Sequence, residues 1–85
     1  MEPADGAILA VSRDGRLEFF RPATGERLKC NVLETAMWIA LREHGWDPEV
    51  AAARLACVWE ADPIELREMM MDWVEELCVL GFLKC

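Results

Sequence analysis

Residues 14–31 read Asp14-Gly15-Arg16-Leu17-Glu18-Phe19-Phe20-Arg21-Pro22-Ala23-Thr24-Gly25-Glu26-Arg27-Leu28-Lys29-Cys30-Asn31, and the fold turns on this stretch. Side chains alternate sides along an extended chain, so Leu17 and Phe19 share one face while Glu18 and Phe20 share the other. Glu26–Cys30 repeats the alternation, with Leu28 and Cys30 opposite Arg27 and Lys29. Between the two runs, Pro22 fixes φ and Gly25 accepts a positive φ, which together make a turn. Upstream, Asp14-Gly15 is a two-residue hairpin signal, and Ala7–Ser12 before it is small and apolar. The reading is a three-stranded antiparallel meander over about residues 7–30.

Downstream the period changes from two to that of a helix. Asn31 caps a first helix, and Glu34 at the third helical position completes a capping-box pattern. Leu33, Met37, Ala40 and Leu41 mark its buried face, and Gly45 ends it. Asp47-Pro48 opens a second helix, because Asp accepts from free N–H groups and Pro suits the first helical position. Val50, Leu55 and Val58 are its expected core residues, with Ala51–Ala53 allowing close approach. Asp62-Pro63-Ile64-Glu65 opens a third helix with a fuller box; it runs to about Leu80, Gly81 stops it, and Phe82–Leu83 follows as a short apolar tail. Three strands followed by three helices (about residues 31–81) make an α+β chain with the element order of a winged helix-turn-helix.

The chain has 85 residues, 54% hydrophobic and 29% charged, which is one globular domain spanning residues 1–85. It is too short for a doubly wound nucleotide fold or a barrel enzyme. Sixteen acids against nine bases give a net charge of −7. Residues 1–30 hold five acids and five bases, so the whole excess lies in the helical part. Such a surface repels nucleic acid and anionic membrane. Across residues 60–76 seven acids accompany one base, Arg67, which is the reverse of a DNA-recognition helix. The longest apolar run, Ala36–Leu41, is six residues, against about 20 for a membrane span.

The N-terminus lacks a basic start and an apolar stretch, so no secretion signal is expected and the cytoplasm is the expected compartment. Cys30, Cys57 and Cys78 then read as small buried hydrophobes and Cys85 as a terminal thiol; two disulfides would require secretion. No cysteine pair has zinc-ligand spacing, and neither a metal nor another cofactor is expected. The single histidine, His44, sits beside Gly45 at a helix end, where it suits capping better than acid–base chemistry. No phosphate-binding glycine loop is present. No catalytic residue is expected, and the chain is not read as an enzyme.

One feature exceeds the needs of a small domain. On a helical wheel Met69, Leu80, Trp73, Leu66, Leu77, Met70 and Val74 fill one arc, extended by Cys78, Met71 and Ile64 and broken only by Arg67. The arc covers roughly 220°, where one core needs about 100°. The chain's own core takes one part of that surface; either the strands and the other two helices cover the rest or a partner does, and three consecutive methionines, which cannot all point inward, argue for the partner. Methionine suits adaptable binding surfaces. The meander also leaves a strand edge unpaired, and an open edge beside an apolar helix makes a peptide-sized groove. Homodimerisation through the same face, or DNA binding by the winged element order, are the competing readings.

The residues also resemble the PqqD-like family, the precursor-recognition elements of ribosomally made, modified peptides. The matching stretches are Thr24-Gly25, Asn31, Thr35-Ala36-x-x-Ile39, Gly45, Val50-Ala51-x-x-x-Leu55, Asp62-Pro63, Trp73-Val74-x-x-Leu77 and Gly81-Phe82-Leu83. They span residues 24–83, about seven-tenths of the chain. Within the family the chain is most similar to the small stand-alone leader-binding proteins of lasso-peptide clusters. The resemblance implies a non-catalytic protein that binds the leader segment of a precursor peptide. The leader would add as a strand beside the third strand and set apolar side chains against the third helix. Arg27, Leu28, Lys29 and Cys30 would then give main-chain bonds, and Met69, Met70, Trp73 and Leu77 would form the apolar wall. The implied partners are a leader protease and an ATP-dependent cyclase.

Overall fold

The computed structural model describes residues 1–84. In chain order the elements are β1 Glu2–Pro3, β2 Ile8–Val11, β3 Leu17–Arg21, β4 Glu26–Lys29, α1 Val32–Glu43, α2 Pro48–Trp59, α3 Pro63–Leu80 and β5 Leu83–Lys84. The fold is α+β: β2, β3 and β4 form a three-stranded antiparallel sheet in that order, followed by three helices. Register is pinned by Leu9 opposite Phe19 and Phe19 opposite Leu28. The alternation read from sequence holds, with Leu17 and Phe19 buried and Glu18 and Phe20 half-buried on the outer face.

Two details differ from expectation. The β2–β3 connection is not a two-residue turn. Ser12 N–H bonds the Arg16 carbonyl and Gly15 N–H bonds the Ser12 carbonyl, so Arg13, Asp14 and Gly15 make a three-residue loop with Gly15 at φ 80°. Asp14 accepts from the Ser12 hydroxyl and from Arg16. Those bonds hold its carboxyl well below the usual carboxylate range. The expected apolar tail is also structured: Phe82 and Leu83 are 3% exposed, and β5 pairs antiparallel with β1. Strands of two residues carry no periodicity that a sequence reading detects.

The helix starts follow the capping chemistry. Asn31 accepts from Glu34 N–H while Glu34 accepts from Asn31 N–H, a complete capping box. Asp47 and Asp62 accept from the first free N–H groups of α2 and α3, each followed by Pro. Glu65 makes no reciprocal bond, so the box expected at α3 reduces to a simple N-cap. Gly81 ends α3 at φ 82° and His44 is the C-cap of α1, its N–H on the Ala40 and Leu41 carbonyls. Thr35 ties the layers together: its hydroxyl accepts from Leu17 N–H at 3.0 Å and donates to the Asn31 carbonyl.

The core runs between the sheet's inner face and the helices. Phe19, Leu41, Met70, Leu77 and Cys30 are its largest fully buried side chains. An aromatic chain crosses it: Trp38 meets Phe19 edge-on at 4.8 Å, Trp46 at 4.9 Å and Trp73 at 6.4 Å. Val50 and Val58, expected in the core, are exposed; α2 instead buries Ala51, Ala52, Leu55 and Ala56. Alanines have no long side chain to hold neighbouring backbones apart, so the short-chain face of α2 turns toward α1 and α3 and the valines face outward. Cys57 follows the valines onto the exposed face and Cys78 is half-buried, so of the three internal cysteines Cys30 alone is a fully buried hydrophobe. Cys85 lies outside the described residues.

Arg21 joins hairpin to helix. Its guanidinium donates to Glu26 at 3.2 Å and to the Leu80 carbonyl at 2.9 Å, and lies 4.7 Å from the centre of the Phe82 ring. A Cβ at Gly81 would meet that guanidinium at 2.9 Å, which with the positive φ explains the glycine.

Candidate functional site

β4 lies at one border of the sheet and, among the described residues, pairs only with β3. Which of its backbone groups face outward follows from one bond: Cys30 N–H donates to the Leu17 carbonyl at 2.8 Å. Antiparallel ladders alternate, so Cys30 and Leu28 direct their peptide groups toward β3, while Lys29 and Arg27 direct theirs away from the sheet. The four residues assigned main-chain bonding therefore divide in two. Arg27 and Lys29 present the open ladder. Leu28 and Cys30 point their side chains inward, Leu28 half-buried and Cys30 1% exposed.

A cavity of about 320 Å³ opens where β4 passes into α1. Leu33 and Met37 of α1 and Met69 and Trp73 of α3 supply its apolar part, and Glu34, Asp72 and Glu76 its acidic part, with Asn31 at the junction. The double-width arc of α3 divides as its sequence requires. Leu66, Met70, Trp73, Val74 and Leu77 are buried. Ile64, Met69, Met71 and Leu80 stay exposed, Met69 at 47% and Met71 at 43%. One methionine of the three points inward.

Of the four expected wall residues, Met69 and Trp73 line the cavity. Met70 and Leu77 are 0% exposed and belong to the core behind it. The contributions of α1 were not read from sequence. The sequence marks Leu33 and Met37 as core-facing, and their second role shows only where α1 and α3 line the same cavity.

Burial, with the Glu34 carboxylate nearby, pushes the Cys30 thiol up to about 12. A thiol held protonated is a poor nucleophile. Cys57 is exposed and free. Iodoacetamide at mildly alkaline pH should therefore alkylate Cys57 rapidly and spare Cys30 until denaturant is added, as read by peptide mapping. Equal labelling of both in the folded protein would contradict the burial of Cys30.

Two other recesses are present. One of about 240 Å³ lies between α1 and α2, with Ile39, Leu55 and Val58 around Glu43, His44 and Arg54. The other lies beside β2, the opposite border of the sheet, and is formed by Pro3, Leu9, Trp38, Arg42 and Trp46. Among the described residues, no group of three or more His, Cys, Asp or Glu is placed to hold a metal ion. None of the described helices is long and apolar enough to cross a membrane.

No family model and no curated protein matches the chain. Among solved structures it is similar to TbiB1, determined in complex with the TbiA(beta) leader peptide. The TM-score is 0.84 over 99% of this chain and 95% of that one, at 19% sequence identity. The two proteins share the fold.

Proposed function

We propose that this chain is a non-catalytic recognition element for the leader segment of a ribosomally synthesised precursor peptide. The leader adds as a fourth strand along β4, bonded through Arg27 and Lys29, and places apolar side chains against Met69 and Trp73. The chain then delivers the precursor to a leader protease and an ATP-dependent cyclase in the cytoplasm, as in lasso-peptide biosynthesis. The observation that carries this reading is an unpaired strand edge running into a part-apolar cavity. It occurs in a fold shared with a protein solved bound to a leader peptide. A peptide that adds to a sheet edge draws affinity from main-chain bonds and specificity from pockets for alternate side chains. The mechanism needs no reacting group: the protein fixes an otherwise flexible segment in one extended conformation, so a partner enzyme meets it in a single register.

Electrostatics disfavour the DNA-binding alternative. The single base of residues 60–76, Arg67, is already engaged with Glu49 at 2.7 Å, and no other cation on this stretch is available for phosphate.

The test is calorimetric titration with the leader of a short precursor encoded beside this gene. Wild-type protein should bind it. Met69→Asp, at an exposed position, should keep the fold and weaken binding about tenfold by placing a charge in the apolar part of the cavity. Amide shifts on binding should centre on Arg27 and Lys29. Unchanged affinity in Met69→Asp, or shifts centred instead on Leu9 and Val11 at the other border, would overturn the assignment.

A further inference from the structure

The cavity beside β4 is polarised. Of its eight lining residues three are acids, Glu34, Asp72 and Glu76, and none is a base. Asp72 and Glu76 stand one helical turn apart on α3, both exposed, and neither takes part in an ion pair among the described residues. Glu34 accepts from the backbone N–H of Asn31, which fixes its position at the cavity. Met69 and Trp73 lie on the same side of α3, one turn N-terminal to each carboxylate or beside it. A segment in the groove thus meets an apolar surface and a negative one in succession. The cavity makes the site; the carboxylates set what it prefers.

From this we infer that the groove selects a segment carrying an apolar side chain and a Lys or Arg two residues apart on its helix-facing side. The inference rests on the proposed leader-binding reading and specifies the peptide. The spacing follows from strand geometry. Side chains i and i+2 of an added strand share a face and stand about 6.5–7 Å apart, close to the 5–6 Å between residues one turn apart on a helix. The opposite pattern, an acid in that second position, would meet three carboxylates of like sign. Arg27 and Lys29 do not blunt this polarity. They lie on the sheet's outer face, opposite in sense to inward-facing Leu28 and Cys30, with Arg27 on Glu18 at 3.0 Å and Lys29 3.8 Å from Asp14. A base on the peptide therefore finds its unpaired counter-charges on the helix side.

The experiment uses the same adjacent-precursor leader, with each Lys and Arg changed singly to Gln and to Glu. These peptides are titrated into wild-type protein and into the Asp72→Asn/Glu76→Gln double variant, whose sites are exposed. One base, two residues from an apolar side chain, should dominate. Its change to Glu should weaken binding to wild type about tenfold, and the double variant should lose most of that discrimination. The discrimination should also shrink as salt rises. Binding by the unaltered leader with no sensitivity at any base, or a leader with no base so placed, overturns the charge rule and leaves the groove reading standing. Failure of the unaltered leader to bind or to shift Arg27 and Lys29 overturns the groove reading, and the charge rule falls with it.

Discussion

Phe19→Ala should remove about 3–5 kcal/mol of folding stability, the range for truncating a large buried aromatic. Phe19 is 1% exposed and stands where three parts of the fold meet. It belongs to the central strand, its ring is 4.8 Å from Trp38 of α1, and it is 5.2 Å from Phe82 beyond α3. Losing it opens a void that none of these neighbours can fill, because Trp38 is also held by Trp46 and Trp73. Domains are stable by roughly 0.05–0.15 kcal/mol per residue, so the loss takes a large share of what a chain this short possesses. Urea unfolding should show a large fall in midpoint with little change of slope. Phe20→Ala is the control. Phe20 lies on the outer face with the Arg27 guanidinium 4.5 Å from its ring centre, and its removal should cost under about 1.5 kcal/mol. Similar losses for both variants would mean that the two faces of β3 are not distinguished as described.

Lys29→Pro should abolish or weaken leader binding at least about tenfold while leaving the fold largely intact. By the alternation fixed at Cys30, the Lys29 N–H points away from β3. Proline therefore removes a donor that no described residue uses, and edge strands accept proline for that reason. The incoming segment loses a main-chain bond and meets the ring in its path. Leu28→Pro is the contrasting variant. Its N–H belongs to the ladder with Phe19, so it should destabilise the sheet itself. Circular dichroism melts read the fold and fluorescence anisotropy with labelled leader reads the binding. If Lys29→Pro binds normally, the peptide does not use this edge; if it unfolds while Leu28→Pro does not, the register is shifted by one residue.

The sheet and the helix starts were legible because local chemistry decides them. A period of two at Leu17–Phe20, Gly25 in its turn, and Asn31, Asp47 and Asp62 before helical runs act through neighbours in sequence. Burial on α2 was less legible. Val50 and Val58 outrank Ala51 and Ala52 in hydrophobicity, yet the tight approach of α2 to its neighbours rewards the smaller side chains. The β1–β5 pair was invisible because its partners lie at opposite ends of the chain and neither is long enough to show a pattern. At the site, the apolar arc on α3 is wider than the chain's own core uses, and Ile64, Met69, Met71 and Leu80 of it stay exposed. The arc named Met69, Met70, Trp73 and Leu77 together, and of these Met69 and Trp73 line the cavity. Met70 and Leu77 belong to the core, while Leu33 and Met37 reach the cavity from another helix, and only packing decides such matters.

The brace at Arg21 bears on how tightly any visitor is held. One guanidinium grips Glu26 at the start of β4 and the last carbonyl region of α3 at Leu80, so the two flanks of the cleft are fastened at one end. In the proposed binding mode this bridge would hold the two flanks together at that end before a ligand arrives. The entropic cost of association then falls mainly on the incoming peptide, and a segment already biased toward extension, through β-branched residues or proline, gains affinity without a single added contact.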